Sequence, residues 1–344
     1  YRRSGLINIR PLAWHDLIYL YRHRQHILSL DHVEGLTRGN LISLENILST
    51  LNPGRNSFSG AVKLPETNNL LAARINYKHG ERSAHLIYLF PFPQADSPQL
   101  VDLLEGLTEK AGEWGVCNLL AELDEDSDLM EYFRRAGFAI YAWQRIWRLQ
   151  VSQENNNQNN NPWQQARGLD EISIRNLFQN LVPPLVQAAN PLPEQHLYGF
   201  VYRQKEDLLA YVECFFGPQG IVLLPLIHPE VKNAGVLLKQ MIGLVSPRLG
   251  RPIYLIERSY QSWMENQLKD MGVLMVERQA LLAKRLVNMQ RVAAPERFSL
   301  VEHRHAEPSS PLVNNHISQF SHQTGAKQSD SSPISSGSQV ASFN

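Results

Sequence analysis

The amino-acid sequence predicts an α/β protein, with an α+β mixed sheet in each of two similar domains that follow one another along the chain. Three observations indicate this. Short apolar runs typical of strands alternate with amphipathic segments typical of helices. A run of asparagine and glutamine near residues 153–162 separates two blocks of mixed composition. Both blocks also end in the same way, with a helix, a glycine and a long apolar strand.

The repeat emerges when the two blocks are set in register. RRAGF in the first block matches KDMGV in the second. The matched positions are Gly137 with Gly272 and Gln144 with Gln279 at an offset of 135, Leu70 with Leu208 at 138, and Gly60 with Gly199 at 139. The offset drifts slowly and in one direction, as small loop deletions would produce. We therefore predict a duplicated domain; the alternative is two unrelated α/β domains of similar patterning.

The first block predicts a three-stranded meander, then a helix, a strand, a helix and a closing strand. In chain order these are Ser57–Lys63, Leu70–Tyr77, His85–Phe92, a helix after Ser97, Val116–Leu123, a helix after Ser127, and Phe138–Leu149. Ser97 can cap the first helix, and the proline that follows suits its first turn. Gly137 ends the second helix, because glycine tolerates the left-handed conformation of a C-cap.

The second block repeats this order. Its elements are Tyr198–Arg203, Leu208–Phe215, Ile221–His228, a helix from Lys232 to Val245, Ile253–Glu257, a helix after Ser262, and Val273–Leu286. Ser262 and Glu265 have the S-x-x-E spacing of a capping box, which favours a helix start at this point.

These elements divide the chain into a first domain at residues 1–151, an Asn-rich linker at 152–163, a second domain at 164–287 and a tail at 288–344. An Asn/Gln run has no apolar atoms to bury and cannot offset its ordering entropy, which predicts a linker. From Pro308 onward the chain is mostly Ser, Gln, Asn, His and Pro with isolated apolar residues, a composition typical of disorder, and we predict a disordered tail.

Charge and cysteine content narrow the function class. The 33 Lys and Arg residues balance 33 Asp and Glu residues, which gives no general electrostatic reason to bind nucleic acid or an anionic membrane. The two cysteines make no disulfide framework, so a reducing compartment is expected. No apolar run approaches the roughly 20 residues that span a bilayer. We therefore expect a cytoplasmic protein. We also expect no metal site, because the histidines are scattered along the chain.

The element order resembles that of the GNAT superfamily of acyl-CoA N-acyltransferases, present here as a tandem pair. The residues that carry this resemblance most clearly are AELDEDSDLMEYFRRAGFAIYAWQRIWRL, which end the first block, and LINIRPLAWHDL near the start. The resemblance implies transfer of an acyl group, with acetyl-CoA as the expected donor, to an acceptor amine. The sequence does not identify that amine, nor does it indicate an oligomeric state.

In that family the cofactor pyrophosphate lies on a glycine-rich loop at a helix start, where backbone N–H groups and the helix dipole attract it. The strand before the loop splays from its neighbour, and its free backbone groups hold the pantetheine and the acyl carbonyl. In the first block the corresponding loop is PFPQADSP, which has no glycine and no basic residue. Asp96 occupies the anion position there and itself satisfies the dipole. We therefore expect no cofactor in the first domain.

The second-block loop, HPEVKNAGVLL, offers a lysine and one glycine but lacks the full glycine pattern. The resemblance implies that any acyl-CoA site lies here, on Ile227, His228, Lys232, Asn233, Ala234, Gly235 and Val236. The alternative is a plain connection between a strand and a helix.

Candidate catalytic groups are two glutamates on predicted strands, Glu213 and Glu257, either of which could act as a general base. An edge or capping role is the alternative, and by sequence register Glu257 corresponds to Glu122 in the first block. The tyrosine that many family members use as a general acid is replaced by Phe133 and Leu268, neither of which carries a proton.

Two functions follow from this reasoning. The first is an N-acyltransferase, with its site in the second domain, that positions an amine against the thioester. The second is a non-catalytic GNAT-like binding or regulatory protein that kept the fold and lost the cofactor site, because fold alone does not determine function.

Overall fold

The computed structural model describes residues 9–39, 41–42, 55–64, 70–78, 80–91, 98–150, 161–194, 197–245 and 250–286. Predicted features that lie outside these ranges are the part of the first-block loop that contains Asp96, the Ser97 cap, residues 151–160 of the linker region, and the tail. Among the described ranges, no helix has the length and apolar character that crossing a bilayer requires.

Unit 1, residues 9–150, contains seven strands and four helices within its described ranges. These are β1 (Arg10–Pro11), α1 (Trp14–Arg22), β2 (Leu28–Ser29), α2 (His32–Arg38), β3 (Arg55–Lys63), β4 (Leu70–Lys78), β5 (Ser83–Phe90), α3 (Gln99–Glu113), β6 (Asn118–Asp124), α4 (Met130–Arg135) and β7 (Ala139–Leu149).

Unit 2, residues 161–286, repeats this order without a counterpart of β2 in its described part. Its elements are β8 (Trp163–Gln165), α5 (Glu171–Leu181), α6 (Pro184–Ala189), β9 (Gly199–Gln204), β10 (Asp207–Phe216), β11 (Ile221–Ile227), α7 (Ala234–Val245), β12 (Ile253–Arg258), α8 (Glu265–Lys269) and β13 (Gly272–Arg285). A 3₁₀ segment, Ser259–Met264, joins β12 to α8.

All strands belong to one mixed sheet of 13 strands, in the order β1-β3-β4-β5-β6-β13-β7-β12-β11-β10-β9-β8, with β2 beside β5. Corresponding strands of the two units occupy corresponding positions from the two ends of this order. The sheet therefore has a pseudo-twofold axis between β13 and β7. This symmetry confirms the predicted α/β mixed sheet and the tandem arrangement of two similar units.

The closing strands are exchanged between the units. β7 of unit 1 pairs antiparallel with β12 of unit 2, while β13 of unit 2 pairs antiparallel with β6 of unit 1. Gln144 and Gln279, which are equivalent at the sequence offset of 135, face each other across the axis as backbone partners. The Nε2 of Gln144 donates to the Oε1 of Gln279 at 2.5 Å. The sequence repeat predicted the two strands but not their exchange.

The two faces of the sheet are covered by different helices. The outer face packs against α3 and α4 in unit 1 and against α7 and α8 in unit 2. The leucine stripe predicted for α3 is fully buried there, at Leu100, Leu103, Leu104 and Leu107. The inner face carries α1, α2, α5 and α6.

Helices α2 and α6 each contact the opposite unit. The carbonyl of Thr37 in α2 accepts a hydrogen bond from the Gln219 backbone N–H in unit 2, at 2.9 Å. The carbonyl of Ala189 in α6 accepts one from the hydroxyl of Ser83 in unit 1, also at 2.9 Å. Helices of the inner face therefore join the two units in addition to the exchanged strands.

Several predicted element ends differ from the structure by one or two residues, such as the start of α7 at Ala234 instead of Lys232, and at two places the assignment itself differs. Trp163, assigned to the end of the linker, is the first residue of β8; it is buried, and its indole N–H donates to the Leu237 carbonyl at 2.8 Å. Ser262 does not cap a helix, because residues Ser259–Met264 form a 3₁₀ segment and α8 begins at Glu265. Gly137 does end α4 in a left-handed conformation, with φ of 87°.

Candidate functional site

Each unit contains a wedge where two neighbouring parallel strands stop pairing. In unit 2, β11 and β12 pair from Ile221–Ile253 to Leu223–Leu255 and no further. In unit 1, β5 and β6 pair only from Ser83–Asn118 to His85–Leu120. We call these gaps the unit 2 wedge and the unit 1 wedge. They are the places where the GNAT resemblance implies a bound pantetheine chain.

The unit 1 wedge is filled by the chain between α1 and α2. β2 pairs antiparallel with β5, and the N–H of Leu30 donates to the Ile87 carbonyl at 2.9 Å. The carbonyl of Leu30 accepts the N–H of Glu122, in β6, at 2.9 Å. One peptide segment thus bridges both walls of the wedge and satisfies their main-chain groups.

An ion pair holds this segment in place. The backbone N–H and the ring Nδ1 of His32 lie 2.8 and 3.0 Å from the Oε2 of Glu122. Burial lowers the pKa of His32, but the hydrogen bond and charge of Glu122, with Asp124 and Asp31, outweigh it and raise that pKa above its usual value. The pair therefore favours a charged imidazole beside the carboxylate.

The unit 2 wedge is filled by the side chain of Gln261, which is 2% exposed. With its amide oriented to satisfy both neighbours, its nitrogen donates to the Pro225 carbonyl at 2.8 Å and its oxygen accepts the Ile227 N–H at 3.0 Å. Backbone groups two residues apart point to the same side of a strand, so the nitrogen of Pro225 also faces the wedge. Proline has no N–H, so of Pro225 and Ile227, the last two positions of β11 that face the wedge, only Ile227 offers a donor. Gln261 accepts that donor.

A bound acyl-CoA thioester would have to displace groups of the chain from either wedge. Its pantetheine would need main-chain groups along β5 or β11. In unit 1 those groups are bonded to the segment around Leu30, and in unit 2 they are bonded to Gln261. A ligand that enters either wedge must therefore replace hydrogen bonds that the chain already makes.

The predicted cofactor residues divide into buried and exposed sets. Ile227 and Ala234 are buried, His228 is half-buried, and Gly235 lies against Gln267, whose Cβ would be 3.3 Å from a Cβ placed there. The exposed set is Lys232, Asn233 and Val236. The start of α7 therefore offers one cation to solvent, but it adjoins a wedge that is already filled.

The two candidate bases lie on opposite faces of the sheet. Glu213 alternates along β10 with Val212 and Cys214, which pack in the outer core, so its side chain belongs to the inner face. Glu257 contacts Trp147 in the outer core; the indole N–H donates to its Oε2 at 2.8 Å. The structure does not bring the two carboxyl groups together.

Glu257 lies buried in the outer core of unit 2, beside Trp147. Burial raises its pKa, the hydrogen bond from Trp147 opposes that shift, and its second oxygen has no partner among the described residues. Sequence register made Glu122 its counterpart, and this was wrong. Asp124 and Arg258 occupy equivalent positions at an offset of 134, so Leu123 is the counterpart of Glu257. A shift of one residue moves a strand side chain to the other face.

Glu213 has a different environment on the inner face. Burial raises its pKa to about 7, with Lys78 and Arg258 opposing the shift and Glu81 adding to it. Lys78 and Glu81 belong to unit 1, so this glutamate lies close to both units. A carboxyl group with a pKa near neutrality suits a general base. The family's acid position is apolar, because Phe133 and Leu268 stand there and both are fully buried in the outer cores.

The residues that decide the state of both wedges, Leu30 and Gln261, were missed from sequence. One signal was available for unit 2, because Pro225 interrupts the donor pattern of a strand that should hold a ligand by its backbone. Within the described ranges, no group of three histidine, cysteine or carboxylate side chains could hold a metal ion.

No protein-family model matches the sequence, and no curated protein does either. Solved structures with a similar fold include a tandem GNAT protein from the clavulanic acid biosynthesis pathway, at 12% identity and a TM-score of 0.46, which covers 81% of this chain and 98% of its own. A GCN5-related N-acetyltransferase from Sphaerobacter thermophilus is 13% identical, with a TM-score of 0.46 and coverage of 81% and 95%. A Drosophila protein is 15% identical, with a TM-score of 0.45 and coverage of 83% and 100%. The architecture of this chain is given by its own strand order: two units with the same order of elements share one sheet.

Proposed function

We propose that the protein is a GNAT-like binding module that does not transfer acyl groups from acyl-CoA. The observation that carries this proposal is the state of the two wedges. The backbone groups that would hold pantetheine are bonded to a peptide segment of the chain in unit 1 and to Gln261 in unit 2.

The remaining chemistry supports the same conclusion. A transferase of this kind gains from a base near the amine and an acid near the departing thiolate. Glu213 and Glu257 face opposite sides of the sheet, and the acid position is apolar in both units. The protein therefore keeps the scaffold of an acyltransferase without a matched acid and base.

Titration calorimetry of the full chain with millimolar acetyl-CoA tests this proposal, together with the melting temperature in the same ligand. We expect no heat of binding and no shift in melting temperature, because a ligand stabilises a protein only when it binds the folded state. Saturable binding of acetyl-CoA would overturn the proposal.

A second candidate function is an N-acyltransferase that uses acetyl-CoA at unit 2 and an acceptor amine. One observation favours it: the start of α7 exposes Lys232 and Asn233, and the first N–H groups of a helix have no intrahelical partner. Gln261 is also a single side chain, which could leave the wedge more readily than a backbone segment.

This candidate has its own test at Lys232. If acetyl-CoA binds, Lys232→Glu should weaken binding by about 1–3 kcal/mol through the lost charged contact and the new repulsion. Lys239→Glu is the matched control, since it reverses an exposed charge farther along the same helix. Asp96→Lys, in the first-block loop, should also leave the affinity unchanged. Equal effects of Lys232→Glu and Lys239→Glu would exclude the start of α7 as the anion site.

A further inference from the structure

Unit 1 shows what kind of chain fits a wedge of this fold. Its occupant is an extended peptide, in which Leu30 bonds to the Ile87 carbonyl on one wall and to the Glu122 N–H on the other. The nine residues 23–31 between α1 and α2 make this possible. Unit 2 has only Val182 and Pro183 between α5 and α6, so it has no segment that could do the same.

Gln261 supplies in unit 2 the bonds that a peptide would make. It donates to the Pro225 carbonyl and accepts the Ile227 N–H, two residues along the same strand edge. In a parallel pair of strands, the N–H and the carbonyl of one residue bond to two residues of the neighbouring strand that lie on either side of the residue opposite. A strand residue beside Leu226 would therefore bond to the Pro225 carbonyl and the Ile227 N–H. The side-chain amide of Gln261 thus stands in for a peptide group.

The backbone at Gln261 differs from that of its neighbours. Within Ser259–Met264 it has φ of −122° and ψ of 23°, outside the helical region, at a kink in the 3₁₀ segment. The side chain enters the wedge from this kink.

We propose that the unit 2 wedge is a binding site for an extended peptide segment of a partner protein, and that Gln261 occupies it until that segment enters. The inference rests on the proposed function, since the wedge is then free of acyl-CoA. A peptide is favoured over pantetheine because the equivalent wedge already holds one. Recognition would use the Pro225 carbonyl and the Ile227 N–H, and it would therefore depend little on the sequence of the segment.

Hydrogen exchange of the Ile227 amide tests the role of Gln261. In Gln261→Ala this amide should exchange at least tenfold faster than in wild type, while the Ile221 amide, which bonds to the Pro252 carbonyl at 3.0 Å, should be unchanged. Gln267→Ala is the matched control, because the oriented Gln267 amide donates to the Trp263 and Met264 carbonyls, outside the wedge. Gln261→Ser is the second variant if Gln261→Ala does not fold. Unchanged exchange at Ile227 would overturn the proposal.

The ligand is tested with a capped peptide, HILSLD, that copies residues 26–31. Added in excess to Gln261→Ala, it should slow exchange at Ile227 several-fold. The same peptide N-methylated at the position of Leu30 should not, because it has lost the donor to β11. Equal slowing by both peptides, or by neither, overturns the proposal. Slowing by pantetheine but not by the peptide also overturns it and assigns the wedge to a small molecule.

The two proposals fail in different ways. Binding of acetyl-CoA to wild type would remove the proposed function, whatever the variants do. A wild type that ignores acetyl-CoA, combined with a Gln261→Ala variant that ignores the peptide, would leave the proposed function standing and remove only the peptide site.

Discussion

The indole N–H of Trp147 donates to the carboxylate of Glu257 at 2.8 Å, and both residues are 2% exposed. Trp147 belongs to the closing strand of unit 1, whereas Glu257 belongs to unit 2. The bond therefore lies inside the core of one unit but depends on a strand supplied by the other. It makes the strand exchange accessible to a stability measurement.

Trp147→Phe should lower the free energy of unfolding by about 2–4 kcal/mol, because it leaves a cavity and deprives a buried carboxyl group of its hydrogen bond. Urea denaturation measures this loss. The matched background is Glu257→Leu, in which no acceptor remains. In that background Trp147→Phe should lower the free energy of unfolding by at least about 1 kcal/mol less than in wild type, because it then creates only the cavity. An equal cost in both backgrounds would show that the hydrogen bond contributes nothing.

Glu213→Gln should change how stability depends on pH. The folded pKa of Glu213 is raised to about 7, above an unfolded value of about 4.3. The stabilisation that comes from the raised pKa of Glu213 is fully present below the pKa of the unfolded state. It is lost as the pH rises through the pKa of the folded state. Wild type should therefore lose about 1–3 kcal/mol relative to the variant between pH 4 and pH 8. Denaturation of both proteins across this range measures the difference.

The control for Glu213 is Glu206→Gln, an exposed glutamate in the turn between β9 and β10. Its stability curve should run parallel to that of wild type. A Glu213→Gln curve that also runs parallel would mean that Glu213 is ionised in the folded protein throughout this range.

The linker should tolerate a short deletion but not a longer one. β7 and β8 lie five strand spacings apart in the sheet, roughly 24 Å at about 4.8 Å each. The strand registers also place Trp163 level with Ile227, six residues or roughly 20 Å along β11 from the level of Leu149, so the direct distance is roughly 31 Å. The chain from Leu149 to Trp163 covers 163 − 149 = 14 steps, or at most about 46–50 Å. Removing residues 155–156 leaves about 40–43 Å and should leave the free energy of unfolding unchanged. Removing 155–158 leaves about 33–36 Å, nearly the direct distance through the protein, and should cost more than about 1 kcal/mol.

This expectation replaces the one drawn from composition alone, in which four asparagine or glutamine residues could be removed freely. Composition shows that the run has nothing to bury, but it does not show how far the run must reach. Equal stability of the two deletions in urea would mean that the chain takes a shorter route than the sheet order suggests.

Local patterns predicted the strands and helices well because each is fixed by its own residues. The leucine stripe of α3 and the left-handed glycine at Gly137 are examples, since apolar spacing and a positive φ are properties of a few neighbouring positions. The repeat strengthened these predictions, because a sequence offset found between two equivalent elements could be tested on the next pair of elements.

The exchange of β7 and β13 could not be predicted in the same way. The repeat states that the two strands are alike, and two like strands can pair within their own units or across them with nearly the same contacts. The filled wedges were hidden for a related reason: Leu30 through its backbone and Gln261 through its side-chain amide bond to strands distant in sequence, and no pattern around either residue indicates these bonds.

The exchanged strands also determine when each half of the protein can become complete. Asn118 of β6 pairs with Arg285 of β13, a separation of 285 − 118 = 167 residues, so unit 1 lacks a sheet neighbour until nearly all of unit 2 has been synthesised. Domains in most tandem proteins fold one after another on the ribosome, whereas contacts this distant in sequence slow folding and delay closure. The nascent first half waits with an open strand edge, and the two halves reach their native state together.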